Sequence, residues 1–402
     1  MSSTALKTED PTPDHSTDRS GEPSRCANIS IRRISLTDFR SYEASSVALD
    51  GRPVAIAGPN GAGKTNFIEA ISLLGPGRGL RAARLHELPR VGGHGGWSVS
   101  IRLDDGNDER RIGVGALADK PDRRVCRVDD ANTSGPGALA EHLRCLWLTP
   151  AQDRLFMEGA GERRKFLDRM TLAQDSAHAG LANEYDHAMR QRQRLLDEGQ
   201  MDDQWLCALE LQMAQSGVAI ASGRRETLSR LAGVDIADNE GLFPAADLAL
   251  EGEMEAALET RLAADVEDEF SHLLRNNRAL DAKTGRALIG PHRSDLLVRH
   301  REKDQPARLC STGEQKALLI GLVLANAHTL AAQAQRTPLI LLLDEIAAHL
   351  DPERRAGLFS IIHTLGFQAF MTGTDPSLFT AWGDRAQCLS AHNNTLTETS
   401  FV

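Results

Sequence analysis

The sequence has few aromatic residues, no closely spaced pair of cysteines and no long hydrophobic run. Phe, Trp and Tyr make up 4% of its 402 residues. None of the six cysteines forms a C-x-x-C pair, which leaves a zinc ribbon or a thioredoxin-like site without support. The most apolar stretches, residues 318–324 and 339–343, are much shorter than the roughly 20 residues that a membrane-spanning helix needs. Scattered thiols and the lack of a membrane segment predict a cytoplasmic protein with no membrane contact.

The chain also lacks an excess of positive charge. Its 46 Lys and Arg and 56 Asp and Glu give a formal net charge of −10. This total argues against general attraction of nucleic acid to the whole surface, but local basic patches can still bind it. Residues 1–27 are rich in Ser, Thr, Pro, Asp and Glu and have no apolar core of a secretory signal. We therefore expect a disordered tail over residues 1–27.

Strand-like and helix-like sequence patterns alternate along the rest of the chain. Short apolar runs separated by Gly and Asp turns predict strands between residues 30 and 128, and again at 296–299 and 339–343. Residues 154–275, in contrast, are dense in Ala, Leu, Gln, Arg and Glu and almost free of strand signals. Two helical stripes are expected there, one with Leu206, Leu209, Met213 and Ile220 and one with Met254, Leu258, Leu262, Val266, Phe270 and Leu273. The sequence thus predicts a helical domain inserted into a mixed α/β domain.

A glycine-rich loop at residues 58–65 carries the clearest chemistry. Its sequence, GPNGAGKT, fits G-x-x-x-x-G-K-[ST] and lies between a strand pattern and a helix pattern, as a Walker A phosphate loop requires. Backbone N–H groups and the helix N-terminus would surround the phosphates of ATP. Lys64 would hold the β- and γ-phosphates during catalysis, and Thr65 would bind Mg²⁺. The expected ATP-binding residues are Gly58, Pro59, Asn60, Gly61, Ala62, Gly63, Lys64, Thr65 and Asn66.

An apolar strand followed by two carboxylates supplies a second element of the same site. Residues 339–343 read LILLL, which is typical of a central parallel strand covered on both faces. Ligands bind at the carboxyl ends of such strands. Asp344 would hold Mg²⁺ as a Walker B aspartate, and Glu345 would orient or deprotonate the attacking water.

A second helix start with anion-binding character lies between these two motifs. Residues 311–316, STGEQK, open a long apolar helix, so the Ser311 hydroxyl and the Gly313 backbone would lie at a positively polarised N-terminus. Taken alone, the pattern fits an ordinary helix cap with glutamate at the third position. Its place shortly before the Walker B strand favours the functional interpretation.

The three motifs, in this order, resemble the Walker A, signature and Walker B motifs of ABC ATPases. In that family the signature serine contacts the γ-phosphate held by the other subunit. Residues 349–351, HLD, are similar to the D-loop, which adds Asp351 to the nucleotide site. The resemblance implies Mg²⁺-dependent ATP hydrolysis and a homodimer that encloses ATP.

Further motifs narrow the resemblance to the RecF family in the SMC-like branch. They are DFRSY at 38–42, NGAGKTN at 60–66, EAI at 69–71, TP at 149–150, ERRKFLD at 162–168, GPHR at 290–293 and QK at 315–316. The family implies an α/β fold, an ABC-type P-loop ATPase head in two lobes with an inserted α-helical arm. Residues 28–152 would form the N-terminal lobe, 153–280 the arm and 281–402 the C-terminal part.

The family also implies a function. Its members are slow ATPases that dimerise on single- and double-stranded DNA at gaps or junctions, and they act with RecR and RecO to load RecA. DNA would lie along basic clusters, for which the candidates are Arg78, Arg81, Arg84, Arg190, Arg192 and Arg194. Each such cluster also fits a solvated helix face. His292 and Arg293 fit a structural or lobe-coupling role.

Several positions depart from the pattern or stay open. No histidine switch follows Walker B, where residues 370–374 read FMTGT, so Thr372 or Thr374 would have to take that role. Glu314 occupies a signature position where glutamine is common. Gln152 is the candidate Q-loop residue at the metal and in catalysis, with Asp153 as its rival. Arg40 fits either a nucleotide contact, as in related SMC-like proteins, or a solvated charge.

Three other functions remain as alternatives. A different SMC-like ABC ATPase, such as a phage-defence ATPase, would be expected to carry an additional acidic metal site or a nuclease domain. A transporter ATPase subunit would need a membrane partner and would not usually contain so long a helical insertion. A scaffold with inactive ATP chemistry conflicts with the presence of Lys64, Asp344, Glu345 and Ser311.

Overall fold

A computed structural model describes residues 29–104, 108–199, 202–234, 241–333 and 337–401, so the predicted tail lies outside the described residues. The strands in these ranges are β1 (Ser30–Phe39), β2 (Tyr42–Ala48), β3 (Val54–Ala57), β4 (Trp97–Asp104), β5 (Glu109–Leu117), β6 (Lys120–Val128), β7 (Ala131–Asn132), β8 (Arg144–Leu148), β9 (Ala246–Glu251), β10 (Asp295–His300), β11 (Gln305–Pro306), β12 (Leu339–Leu343), β13 (Gln368–Gly373), β14 (Gln387–His392) and β15 (Thr395–Thr399). The α-helices are α1 (Lys64–Ser72), α2 (Ala160–Gln174), α3 (His178–Asp197), α4 (Asp203–Ala232), α5 (Glu253–Ala257), α6 (Ala263–Asn276), α7 (Arg278–Thr284), α8 (Thr312–Ala332) and α9 (Pro352–Leu365).

The central sheet has the strand order β15-β14-β3-β13-β12-β8. Strands β14, β3, β13, β12 and β8 are parallel, and β15 pairs antiparallel with β14 at the edge. All residues of β3, β12 and β13 are buried, which explains why their sequences are almost wholly apolar. The parallel arrangement brings the carboxyl ends of β3, β12 and β13 to one edge of the sheet.

Two layers cover the faces of the central sheet. An antiparallel sheet of order β2-β1-β4-β5-β6-β7 and helix α1 share one hydrophobic cluster with residues of β3, β12 and β13. Helices α2, α8 and α9 share the other cluster with the alternate residues of the same strands. This alternation follows from the two-residue period of a strand. The strands expected between residues 30 and 128 are confirmed.

The predicted helical segment contains one strand that the sequence interpretation missed. Strand β9 pairs antiparallel with β10, and together with β11 they form a three-stranded sheet. Its sequence, ADLALE, alternates between apolar and polar residues, as expected for a strand with one buried face. The surrounding helix-forming composition hid this short signal. The expectation of a segment almost free of strands is therefore wrong at residues 246–251.

The two predicted helical stripes have different outcomes. Helix α4 buries its predicted positions, so the first stripe is confirmed. The second stripe is interrupted, because α5 ends at Ala257 and α6 begins at Ala263. Leu262 caps α6 and is 74% exposed, while Leu274 rather than Leu273 is fully buried. The apolar residues keep a four-residue spacing across the loop between α5 and α6. This spacing led to the prediction of one continuous helix.

Several helices of the insertion also pack against the head. Phe166 and Met170 of α2 and Leu228 of α4 belong to the same cluster as residues of α8 and β12. The remainder of the insertion has a cluster of its own between α3, α4 and α6. The proposed boundaries at residues 153 and 280 stay predictions. None of the helices in the described ranges is long and apolar enough to cross a bilayer.

A buried charge network holds α3, α4 and α7 together. Arg192 donates to Glu210 at 2.9 Å, to Asp281 at 2.7 Å and to the Leu274 carbonyl at 2.6 Å. Its side chain is 1% exposed. Arg278 reaches the other oxygen of Glu210 at 2.6 Å. The expectation that Arg192 contacts DNA is wrong, because its guanidinium is enclosed and its donors are used inside the helical segment.

Replacing Arg192 by Ala should destabilise the protein strongly. The substitution leaves the buried carboxylates of Glu210 and Asp281 without one of their partners, and breaking a buried pair costs about 3–5 kcal/mol. Chemical denaturation measures this loss in the free energy of unfolding. The matched control is Arg194→Ala, whose exposed partner is Glu198 one helical turn away, and which should cost less than about 1 kcal/mol. Equal losses for the two variants would contradict the assignment.

Candidate nucleotide-binding site

The phosphate loop connects β3 to α1 at the carboxyl edge of the central sheet. Gly63 has φ +95°, which favours glycine, and a Cβ at Gly58 would lie 2.2 Å from the Ala391 carbonyl oxygen. The Lys64 ammonium donates to the carbonyls of Gly58 at 2.7 Å and Pro59 at 3.0 Å. Burial lowers the pKa of Lys64, opposed by the nearby carboxylates of Glu345 and Asp344. The loop thus holds a buried cation beside two acids.

Asp344 connects the loop to two further strands. Its Oδ1 accepts hydrogen bonds from the hydroxyls of Thr65 at 3.0 Å and Thr372 at 2.7 Å. Its backbone N–H donates to the Leu148 carbonyl of β8 at 2.9 Å. Because Asp344 follows β12, Thr65 opens α1 and Thr372 lies in β13, one buried carboxylate joins three elements.

Glu345 is held in an unusual conformation next to this carboxylate. It has φ +53°, a left-handed conformation that non-glycine residues seldom adopt. Its backbone N–H donates to the Thr372 hydroxyl at 3.0 Å. Thr372 therefore contacts both predicted Walker B acids, and its role in place of the histidine switch stays a prediction. Thr374, by contrast, is exposed.

The residues present fit a Mg²⁺ ion. The Thr65 hydroxyl and the Asp344 carboxylate converge within hydrogen-bond distance, and both are hard oxygen donors that Mg²⁺ prefers. Two donors leave most of an octahedral shell to phosphate and water oxygens, the arrangement usual in P-loop enzymes. Thr65 and Asp344 would hold the ion, and the ion would neutralise charge on the β- and γ-phosphates.

A polar cluster fixes the outer side of α1. The guanidinium of Arg40 binds both carboxylate oxygens of Glu69, at 2.7 and 3.0 Å. Arg81 donates to the same Glu69 at 3.1 Å and to Asn66 at 2.8 Å, and Asn66 donates to Ser41 at 2.9 Å. The structure thus places Arg40, Asn66 and Arg81 together beside the phosphate-loop helix. Contacts of Arg40 and Asn66 with nucleotide, and of Arg81 with DNA, stay predictions.

The predicted signature motif forms the N-terminus of α8. Ser311 is the N-cap, and Ser311, Thr312 and Gly313 are all exposed. The Glu314 carboxylate accepts from the Ser311 N–H and hydroxyl, both at 2.9 Å, and it pairs with Lys303. Lys303, followed by the Ser311 bonds, lowers the pKa of Glu314 to about 2. Glu314 thus stays charged at neutral pH and keeps hold of the signature hydroxyl.

The remaining predicted residues lie near these motifs without direct bonds to the phosphate loop in the described part of the chain. Gln152 follows β8, and its side-chain oxygen accepts from the Thr149 N–H at 3.1 Å. Its rival Asp153 pairs with Lys316 of α8 at 3.0 Å, a link from the β8 loop to the signature helix. Asp351 caps α9 by accepting from the Arg354 N–H at 2.8 Å. The roles of Gln152 and Asp351 stay predictions.

Two residues that lie against the loop at Gly63 were not assigned roles from the sequence. The Tyr42 hydroxyl donates to the Gly63 carbonyl at 3.1 Å, and burial raises the pKa of Tyr42. Asn394, in the turn between β14 and β15, brings its side-chain oxygen to 2.9 Å from where a Cβ at Gly63 would stand. The two consecutive asparagines at 393–394 signal a tight turn. Nothing local signals that this turn would meet residues 58–65.

The comparisons with known proteins show the family and the fold of this chain. A family model described as the RecF/RecN/SMC N terminal domain matches residues 30–397. The DNA replication and repair protein RecF of Rhizobium etli (strain CIAT 652) is 50% identical over 361 residues, covering 89% of this chain and 96% of the relative. The chain belongs to the RecF family. The RecF protein of Mesorhizobium japonicum is 49% identical over 372 residues, covering 92% of this chain and 98% of the relative.

Solved structures agree on the fold of this RecF family member. The recombination mediator protein RecF with ATP, of the RecFOR pathway, gives a TM-score of 0.80 at 21% identity, covering 94% of this chain and 100% of that one. An Smc head domain with an extended coiled coil from Pyrococcus furiosus gives a TM-score of 0.50 at 16% identity, covering 92% and 96%. The prediction of an ABC-type ATPase head with an inserted helical arm is confirmed.

The candidate DNA-binding arginines of this RecF family member differ in accessibility. Arg78 and Arg84 are exposed in the segment between α1 and β4, and Arg190 and Arg194 are exposed on α3. Arg190 donates to the Asp186 carbonyl at 3.1 Å, and Arg194 donates to Glu198 at 2.8 Å. These four remain available to phosphate groups, unlike Arg192. The Tyr185 hydroxyl and His292 Nδ1 share a hydrogen bond of 2.8 Å. This bond links α3 to the segment before β10.

Replacing Thr372 by Val should slow ATP hydrolysis while leaving ATP binding largely intact. Valine keeps the shape but removes the hydroxyl shared by Asp344 and Glu345, so both acids lose a fixed position. We expect kcat to fall at least about tenfold, the effect of about 1.4 kcal/mol of lost transition-state stabilisation. Steady-state ATPase kinetics measure the change. Thr372→Ser should retain most activity, and a serine variant as slow as the valine variant would count against this role.

Proposed function

We propose that this chain is an ATP-dependent DNA-binding protein of recombinational repair. ATP closes a homodimer on gapped or junction DNA, and slow hydrolysis of ATP to ADP and phosphate releases it. Family membership supports the repair role, since its close relatives carry the name DNA replication and repair protein RecF. RecR and RecO are the proposed protein partners, and assistance in placing RecA on single strands is the proposed outcome.

The exposed N-terminus of α8 is the observation that best supports the proposed homodimer. It is the N-terminus of a long helix with Ser311 and Gly313 turned to solvent, and its partial positive charge suits a phosphate. None of the hydrogen bonds among the described residues joins it to the phosphate loop of the same chain. A second copy would bring its own α8 start to the γ-phosphate, with Asp351 beside it. Each ATP would then be held by two chains.

The chemistry of hydrolysis follows from the Walker B geometry. Lys64 and the loop N–H groups bind the phosphates, and Asp344 and Thr65 hold Mg²⁺. Glu345 orients or deprotonates the attacking water, with Gln152 as the further group at the metal. Closure of the dimer completes the site, so turnover is slow and linked to the lifetime of the clamp. The exposed Arg78, Arg81, Arg84, Arg190 and Arg194 are the proposed contacts to DNA phosphates.

The rival functions have less support. A transporter subunit would not need a helical insertion with its own hydrophobic cluster and buried ion network. Another SMC-like ATPase, such as a phage-defence ATPase, shares the head and differs in its partners. Gapped DNA discriminates between the rivals, because only the repair clamp requires it.

Replacing Glu345 by Gln should trap the protein as a dimer on DNA. Glutamine keeps the shape of the side chain but cannot serve as a base, so ATP binds and closes the dimer without being consumed. With ATP and gapped DNA, we expect size-exclusion chromatography with light scattering to show a long-lived dimer that retains DNA at high salt. ATP turnover should fall at least about a hundredfold, in the range usual for loss of a general base.

The control for this experiment is Lys64→Ala, which should stay monomeric with ATP because the phosphates lose their cation. Wild-type protein should show faster ATP turnover and longer DNA retention with gapped DNA than without it. Gapped DNA that changes neither turnover nor dimerisation would contradict the repair-clamp proposal. A Glu345→Gln chain that remains monomeric with ATP would contradict the dimer itself.

Replacing Glu314 by Gln should strengthen ATP-dependent dimerisation. The Glu314 carboxylate accepts the Ser311 hydroxyl and carries a negative charge close to where the partner's γ-phosphate would lie. Glutamine can still accept the Ser311 N–H but removes that charge. We expect the protein concentration at half-dimerisation with ATP to fall several-fold in sedimentation velocity. Lys303→Met, which leaves the carboxylate without its ion pair, should raise it, so the same direction of change in both variants would refute this account.

A further inference from the structure

A short basic segment between α1 and β4 contacts the phosphate-loop helix through one of its arginines. The basic segment is residues 78–84, and its arginines are Arg78, Arg81 and Arg84. The Leu80 N–H donates to the Ser72 hydroxyl at 2.9 Å, which fixes the segment to the end of α1. Of the three guanidinium groups, that of Arg81 is the one bonded to other described residues.

Both acceptors of Arg81 belong to α1. Its Nη1 donates to the Asn66 side-chain oxygen at 2.8 Å and to the Glu69 carboxylate at 3.1 Å. These two acceptors are three residues apart and therefore lie on the same face of the helix. Asn66 directly follows Lys64 and Thr65, the residues that would hold the phosphates and Mg²⁺. Arg81 thus holds the first two turns of the helix that carries the phosphate-binding side chains.

Two further contacts hold α1 from its other side. The Glu69 side chain is 1% exposed, and both of its oxygens accept from Arg40, at 2.7 and 3.0 Å. The Asn66 side-chain nitrogen donates to the Ser41 hydroxyl at 2.9 Å. Arg40 and Ser41 form the turn between β1 and β2. Because Arg40 already neutralises Glu69, the basic segment keeps its positive charge.

The opposite edge of the Arg81 guanidinium is free to bind another group. Its Nε and Nη2 atoms form no hydrogen bond within the part of the chain that the structure describes. The Arg81 side chain is 42% exposed, so this edge can be reached from solvent. A guanidinium binds phosphate through two such N–H donors at once. Arg78 and Arg84, both exposed, add positive charge where a nucleic-acid backbone would approach.

We propose that Arg81 is a positioning residue through which DNA tightens nucleotide binding. A backbone phosphate binds the free Nε–Nη2 edge of the guanidinium, while Nη1 keeps its bonds to Asn66 and Glu69. The proposal rests on the DNA binding proposed above and adds a route by which DNA acts on the nucleotide site of a single chain. This route requires neither closure of the dimer nor hydrolysis.

The direction of the effect follows from the bonds that fix Arg81. Without DNA, a half-exposed side chain shares one nitrogen between two acceptors, and water competes for both bonds. A phosphate on the opposite edge immobilises the guanidinium, so the first turns of α1, with Lys64 and Thr65, are ordered before the nucleotide arrives. DNA therefore raises the affinity for nucleotide. Linkage requires that the nucleotide raise the affinity for DNA by the same factor.

ADP tests this coupling apart from the proposed clamp, because the clamp closes with ATP. The affinity of the full chain for a fluorescent ADP derivative is measured at low salt, with and without a saturating short DNA duplex. For the wild type, the duplex should lower the dissociation constant for ADP at least about fivefold, the lower end of common allosteric couplings. Fluorescence anisotropy of the labelled duplex should show the same factor when ADP is added.

Two substitutions of Arg81 separate coupling from attraction of DNA. Arg81→Met removes the charge and the donors, whereas Arg81→Lys keeps the charge but has no planar fork to join a phosphate to α1. Both should reduce the effect of the duplex on ADP affinity to less than about 1.5-fold, and the lysine variant should still bind the duplex. The matched control is Arg123→Met, because Arg123 is exposed on β6 and its guanidinium has no bond to other described residues. This control should keep the full effect.

Three results would overturn the proposal. One is an ADP affinity that the bound duplex leaves unchanged, or changes equally in the wild type and in Arg81→Met. Another is a duplex that weakens ADP binding, since DNA would then draw Arg81 away from α1. The third is an Arg81→Met chain that binds ADP more weakly without DNA yet keeps the full response to DNA, which would assign Arg81 a structural role alone. If ATP fails to dimerise the wild type while the ADP response persists, the homodimer fails and the role of Arg81 stands.

Discussion

The nucleotide site depends on one buried carboxylate. Asp344 is 5% exposed and receives hydrogen bonds from Thr65 and Thr372. A carboxylate removed from water is tolerable only where donors surround it, and these donors come from α1 and β13. The bonds therefore fix the phosphate-loop helix against the sheet at the point where Mg²⁺ would bind. Thr65 and Asp344 would hold Mg²⁺, and the hydrogen bond between them already keeps both oxygen donors at the same place.

Threonine at position 372 changes what the missing histidine implies. A hydroxyl both donates and accepts, and Thr372 uses both capacities, towards the Asp344 carboxylate and from the Glu345 N–H. The left-handed backbone of Glu345 is thereby held in place at a strained position. Unlike a histidine, the hydroxyl does not titrate near neutral pH. The hydrogen bonds that Thr372 makes with Asp344 and Glu345 therefore do not depend on a protonation change at residue 372.

Directed charge contacts join helices of the insertion to one another and to the start of β10, in addition to the apolar cluster that the insertion shares with the head. Asp168 of α2 binds Arg224 of α4 at 2.7 Å and His178 of α3 at 3.0 Å, and Arg163 of α2 binds Asp295 at the start of β10. Bidentate ion pairs specify orientation, whereas apolar contacts tolerate sliding. The guanidinium groups of Arg163 and Arg224, like that of Arg192, are used in contacts within the protein.

Features encoded in consecutive residues could be predicted from the sequence, and features that depend on distant neighbours could not. Residues 58–65 and 339–345 were recognisable because a phosphate loop and a buried parallel strand are encoded locally, in consecutive residues. The burial of Arg192 was not recognisable from the sequence. Its neighbour Arg194 has the same local surroundings and differs only in facing away from α4 and α7. The role of Thr372 required knowledge of which strand lies beside β12. Strand β9 was hidden because its short alternating pattern lies within a long segment of helix-forming composition.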